Sequence, residues 1–77
     1  MPALTLQPVN DSVYAVYTAD GAHVGYLKRI GVVWKFKAVG YDAAGKVMPG
    51  GGPLTDRHNT PFVAPDAADV STRLGIG

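Results

Sequence analysis

Three groups of residues in this chain carry side chains able to do chemistry. The first comprises two tyrosines and three lysines, Tyr17, Tyr26, Lys28, Lys35 and Lys37, set among valines, Trp34 and Phe36. Aromatic rings can stack on bases while ammonium groups follow phosphates, so this set points to single-stranded nucleic acid. The bland reading is that Tyr and Val are ordinary strand formers and that lysines solubilise a half-exposed face. The second group is Gly50, Gly51 and Gly52, with Thr55, Arg57 and His58 close behind. Glycines free the backbone to turn N–H groups toward an anion, which makes this an anion-binding loop or a connection shaped by its turns. It lacks the Lys-Ser or Lys-Thr pair of the G-x-x-x-x-G-K-[ST] phosphate loop. The third group, Asp56, Arg57 and His58, pairs a carboxylate with a base, but neighbours in sequence point in different directions. With no cysteine, no glutamate and no G-x-S-x-G, nothing supplies a nucleophile, and a non-catalytic protein is expected. Only His23 and His58 are available as imidazole ligands, without an i,i+4 pair, so neither a metal site nor a cofactor is expected.

The totals set the frame. Seventy-seven residues make one small domain, and a chain of this size hides only ~60% of its unfolded surface. At 47% hydrophobic and 17% charged residues the chain should fold, and no apolar run approaches the ~20 residues of a membrane span. The absence of cysteine and of a signal-like start in "MPALTLQPVND" predicts a mature cytoplasmic protein. Net charge is only +1, yet residues 25–46 hold five of the seven basic residues against one acidic residue, Asp42.

The elements that must position these groups are strands. "VYAVY" followed by "ADGA" reads as strand and two-residue type I′ turn at Asp20-Gly21. That turn places Val16 opposite Gly25, Ala15 opposite Tyr26, Tyr14 opposite Leu27, and His23 opposite Thr18 at the sheet's end. A second tight turn at Ile30-Gly31 puts Leu27 opposite Trp34, Gly25 opposite Phe36 and Tyr26 opposite Lys35. A four-residue loop at 42–45 leads to a short strand at 46–48, and "ALTLQ" adds an edge strand ended by Pro8 and Asn10-Asp11. Tyr14, Val16, Leu27, Trp34 and Phe36 then share a core face. Val13, Ala15, Tyr17, Val24, Tyr26, Lys28, Val33, Lys35 and Lys37 share the other.

Residues 49–64, with three glycines in a row and three prolines, read as a loop with one helical turn at 54–58. Residues 65–74 read as a helix, with Pro65 in its first turn, Asp66 and Asp69 at its positive end and Gly75 to stop it. Its apolar stripe is Ala67, Val70 and Leu74, and Asp69 can pair with Arg73. The expected fold is α+β: an antiparallel β-meander of four to five strands over residues 3–48 with a C-terminal helix packed on one face, and Phe62 added to the core.

The stretch "HVGYLKRIGVVWKFKAVGYDAAGKVMPGGGPLTDRHN" resembles small uncharacterised bacterial proteins with a W-K-F-K-type strand and a P-G-G-G-P-L-T loop. The resemblance implies a bacterial cytoplasmic protein and carries no site residue with it. The architecture also resembles plant and integrase DNA-binding domains that lay a three-stranded sheet in the major groove. There Tyr26, Lys28, Lys35 and Lys37 would be the reading face. Those domains rely on several sheet arginines, whereas only Arg29 stands near this sheet. The residues thus leave three readings of a binding module: nucleic acid on the Tyr/Lys face, a homodimer or protein partner on an open edge strand, and an anion at the glycine loop.

Overall fold

The computed structural model describes residues 4–74; the expected strand start at Ala3 and helix stop at Gly75 lie outside them. Strands β1 (Leu4–Asn10), β2 (Val13–Thr18), β3 (His23–Ile30), β4 (Val33–Tyr41) and β5 (Val47–Pro49) form an antiparallel meander in that spatial order. A two-residue strand, β6 (Pro61–Phe62), also pairs with β4, and helix α1 (Ala67–Arg73) is the last element of the described residues. The protein is an α+β meander with a C-terminal helix.

The turns decide the register. At the first hairpin Gly21 N–H donates to the Thr18 carbonyl (3.0 Å) and Thr18 N–H to the Ala22 carbonyl (2.9 Å), closing a three-residue loop with Gly21 at φ +91°. This is a type I turn followed by a left-handed glycine, in place of the expected two-residue turn. The odd loop offsets pairing by one residue. A β-bulge takes the offset back: Tyr17 faces His23 and Val16 faces Gly25, so Val24 is the extra residue. Val24, expected on the Tyr/Lys face, therefore turns into the core, and His23 faces Tyr17 rather than Thr18. The third hairpin repeats the design, with Gly45 N–H on the Asp42 carbonyl (2.9 Å), Asp42 N–H on the Lys46 carbonyl (3.0 Å) and Gly45 at φ +81°. Its last strand starts one residue later than expected, at Val47.

The second turn is Gly31-Val32, with Ile30 opposite Val33. Gly31 has φ +64°, and a turn starting at Ile30 would have asked a β-branched residue to take that conformation. Register is displaced by two from expectation: Leu27 faces Phe36, Tyr26 faces Lys37 and Gly25 faces Ala38. An even shift leaves every side chain on its assigned face. Pro8 does not end β1, because β1 is an edge strand and loses no ladder bond on its outer side. Residues 61–62, expected in a loop, pair with Trp34 and Lys35 because β5 leaves that part of β4's edge open and Phe62 belongs in the core.

The core joins Leu4, Val16, Val24, Leu27, Phe36 and Phe62 with Val70 and Leu74 of α1. Trp34 and Tyr14 are only half-buried at its margin, packed edge to face at 5.5 Å. The Asp66 carboxylate caps the helix by accepting from Asp69 N–H (3.0 Å), so α1 begins at Ala67 and Pro65 precedes it. Buried Ser71 ties the helix to the sheet, its hydroxyl oxygen accepting from Leu4 N–H (3.0 Å). Arg73, expected to pair with Asp69, places its guanidinium 4.6 Å over the Phe62 ring.

Candidate functional site

Because α1 packs on the Phe36 side, the face carrying Tyr17, Tyr26, Lys28, Lys35 and Lys37 is left without a helix over it. Register places Lys28 directly opposite Lys35 and Tyr26 directly opposite Lys37. Two ammonium groups on facing residues repel, a cost that an anion lying between them would reverse. Tyr17 stands apart from the lysines. Its ring lies 5.1 Å from that of His23, which also meets Tyr26 edge-on at 4.7 Å and holds the Tyr41 hydroxyl at 2.7 Å through Nδ1. His23 Nε2 is buried without a hydrogen-bond partner among the described residues. Sequence reasoning placed His23 at a polar strand end; the three-residue loop together with the bulge behind it seats His23 opposite Tyr17 and so brings it into this cluster.

The outer edge of β4 holds the rest of the site. Its nine residues are paired by β5 at 39–41 and by β6 at 34–35, leaving 36–38 between them. Phe36 N–H donates to the Thr60 carbonyl (2.9 Å) and its carbonyl accepts from Asn59 N–H (2.7 Å). Ala38 N–H donates to Nδ1 of His58 (3.0 Å), and the Ala38 carbonyl accepts from Gly50 N–H (2.7 Å). A groove of about 380 Å³ opens at this junction, with Tyr26, Lys28, Lys37 and His58 as its polar lining. Its apolar walls are Ala38, Val39, Val47 and Pro49.

The two candidate groups meet here, and both are changed by the meeting. From the glycine loop, His58 and Gly50 enter the groove, whereas Gly51, Gly52, Thr55 and Arg57 do not line it. The loop was expected to offer its N–H groups to an anion. Gly50 and Gly51 instead donate theirs to the carbonyls of Ala38 and Met48 (2.7 and 3.1 Å). Gly52, at φ +85°, lies so close to β4 that a Cβ would stand 2.2 Å from the Val39 carbonyl oxygen. Thr55 donates its hydroxyl to the Gly50 carbonyl (2.6 Å), and Arg57 is exposed on the short 3-10 helix Thr55–Arg57. These glycines shape a tight connection. From the sheet, Tyr26, Lys28 and Lys37 line the groove, while Lys35 stands next to it opposite Lys28 and Tyr17 lies off it against His23.

Every polar side chain in the groove can donate. Lys37 Nζ is held by the Asn59 Oδ1, on a residue in the left-handed region at φ 71°. Since Nδ1 of His58 accepts from a backbone N–H, the neutral ring carries its proton on Nε2. No carboxylate is among the lining residues. Asp20, whose carboxyl is held below its ordinary value by the Thr18 hydroxyl and then by Ala22 N–H, sits in the first hairpin loop. Among the described residues no cluster of three or more His, Cys, Asp or Glu could hold a metal ion, and no helix is long and apolar enough to cross a membrane. No family model, curated protein or solved structure matches the chain.

Proposed function

We propose that the protein is a non-catalytic module that binds single-stranded nucleic acid across its open sheet face. The observation that carries this reading is the row Lys28, Lys35 and Lys37 beside Tyr26 on a face that the helix leaves uncovered. Phosphates would lie along the ammonium groups and a base would stack on Tyr26, a combination that tolerates any sequence because every base has a π-face. The net charge of +1 is no obstacle, since the acidic residues belong to turns, the 3-10 helix, and α1 with its N-cap rather than to this face.

The test is an amide-shift titration of labelled protein with a short mixed-sequence single-stranded oligonucleotide, at low and then physiological salt. Shifts should concentrate at Tyr26, Lys28, Lys35 and Lys37. Three phosphate contacts give a slope of log K against log salt near about −2, and Lys35→Ala should reduce it by about 0.7. A spectrum unmoved at low salt refutes the reading.

A second reading, self-association through β5, is favoured by the half-exposed Val47 and Met48 on the sheet's short outer strand, with exposed Tyr41 opposite Val47. Sedimentation at high concentration separates the two, because edge pairing would persist at high salt.

A further inference from the structure

We infer that the groove between β4 and the β5 connection is a pocket for one phosphate monoester, the terminal phosphate of a bound strand or that of a free nucleoside monophosphate. The inference deepens the nucleic-acid reading of the open face and rests on it only where the phosphate belongs to a strand. The lining sorts by chemistry into two halves. Lys28, Lys37 and the Nε2–H of His58 are all donors, with Tyr26 as a further polar group; Ala38, Val39, Val47 and Pro49 are apolar. A phosphate monoester approaches two negative charges and offers three acceptor oxygens, which matches two ammonium groups and one N–H. An internal phosphodiester carries a single charge and leaves one cation unanswered. The apolar lining accepts a flat base or a sugar edge.

Two of the three donors are fixed before any ligand arrives. The Asn59 Oδ1 holds Lys37 Nζ, and Ala38 N–H anchors the His58 ring through Nδ1 so that Nε2 stands beside Gly50, where an added Cβ would lie 3.9 Å from it. Donors already held in place lose little freedom on binding, so their attraction appears as affinity. The volume of about 380 Å³ admits one nucleotide unit.

The substitution His58→Asn separates the pocket from the fold. An Asn oxygen can take over the place of Nδ1 and keep the Ala38 N–H satisfied, but nothing replaces Nε2–H. Fluorescence anisotropy would compare a short single-stranded oligonucleotide with and without a terminal phosphate, and an amide-shift titration would use adenosine monophosphate alone. The phosphorylated oligonucleotide should bind about tenfold more tightly at low salt, and His58→Asn should bring the two within about twofold at an unchanged melting temperature. Lys28→Gln, on an exposed side chain that the fold does not need, should narrow the same gap even if His58→Asn melts early. Equal binding of the two oligonucleotides in wild type, together with no shifts from the nucleotide, overturns the pocket and leaves the open-face reading standing. Shifts at Lys28, Lys37 and His58 from the nucleotide, with no oligonucleotide binding, uphold the pocket and remove the open face.

Discussion

Replacing Gly25 by alanine tests the register on which the groove depends. An added Cβ would stand 2.5 Å from both Cε1 and Cζ of Phe36 and 2.6 Å from the Lys37 carbonyl oxygen. Carbon atoms pack at ~3.5–4.0 Å, so the ring would have to retreat by roughly 1 Å or more. It has nowhere to go, because Phe36 is fully buried, and the carbonyl can yield only by bending β4. Overpacking of this kind costs ~1–3 kcal/mol, and a blocking backbone atom puts this site at the upper end. The chain regains roughly 0.5 kcal/mol from the lower entropy of unfolded alanine, leaving a net loss of about 2–2.5 kcal/mol. For a domain of this size that lowers the melting temperature by about 10–20 °C, read by circular dichroism. Phe36→Leu removes the ring edge that the Cβ would meet, so the double variant should be more stable than additivity predicts by at least ~1 kcal/mol. A drop of under about 3 °C, or strict additivity, would mean that Phe36 does not lie over Gly25. The pairing of Gly25 with Ala38 would fall with it, and so would the apposition of Tyr26 and Lys37.

Phe36→Ala should cost ~3–5 kcal/mol and leave little folded protein, whereas Trp34→Ala, at a half-buried margin position against Tyr14, should cost about 2 kcal/mol and still unfold cooperatively in urea; the reverse order would place the core wrongly. Asp20 should titrate below its ordinary value of 3.8, since the Thr18 hydroxyl and then Ala22 N–H favour its charged form. Its folded value is the depressed one, so its contribution to stability is complete above that ordinary value and lost as pH falls through the folded value. The gap in melting temperature between wild type and Asp20→Asn should therefore close on acidification, and a carboxyl midpoint at or above 3.8 by NMR would contradict this.

How much was legible follows from how local each determinant is. The pairing of Tyr14 with Leu27 and of Ala15 with Tyr26 was readable from alternation and a nearby Asp-Gly. The faces survived even where the second turn was misplaced by one position, because the resulting register error was two residues and side chains alternate with period two. Val24 was misassigned because Asp-Gly suits both a two-residue turn and a three-residue loop, and the three-residue loop found here is followed by a bulge that the third hairpin, with the same loop length, does without. Strand β6 was illegible for a different reason. Two residues carry no period, and Pro61–Phe62 is extended only because Trp34 and Lys35 present an open edge to it.

The groove follows from the unequal lengths of the strands around β4. A nine-residue strand flanked on one side by a three-residue and a two-residue strand keeps a middle stretch whose outward backbone groups need other partners. At Phe36 the incoming chain supplies them from its own backbone, at Thr60 and Asn59. Two residues further on, the acceptor for Ala38 N–H is a side chain, Nδ1 of His58. A ring reaching in from the side holds its backbone farther from the strand edge than a direct carbonyl contact would, and space opens beside Lys37 and Tyr26. The structural duty of His58 and its place in the groove are therefore one arrangement, made by residues 20 positions apart in the chain. Sequence reading could nominate the lysines and the histidine separately. Only the gap left on β4 brings them together, and filling that gap with a longer β5 would satisfy Ala38 from a backbone carbonyl and close the site.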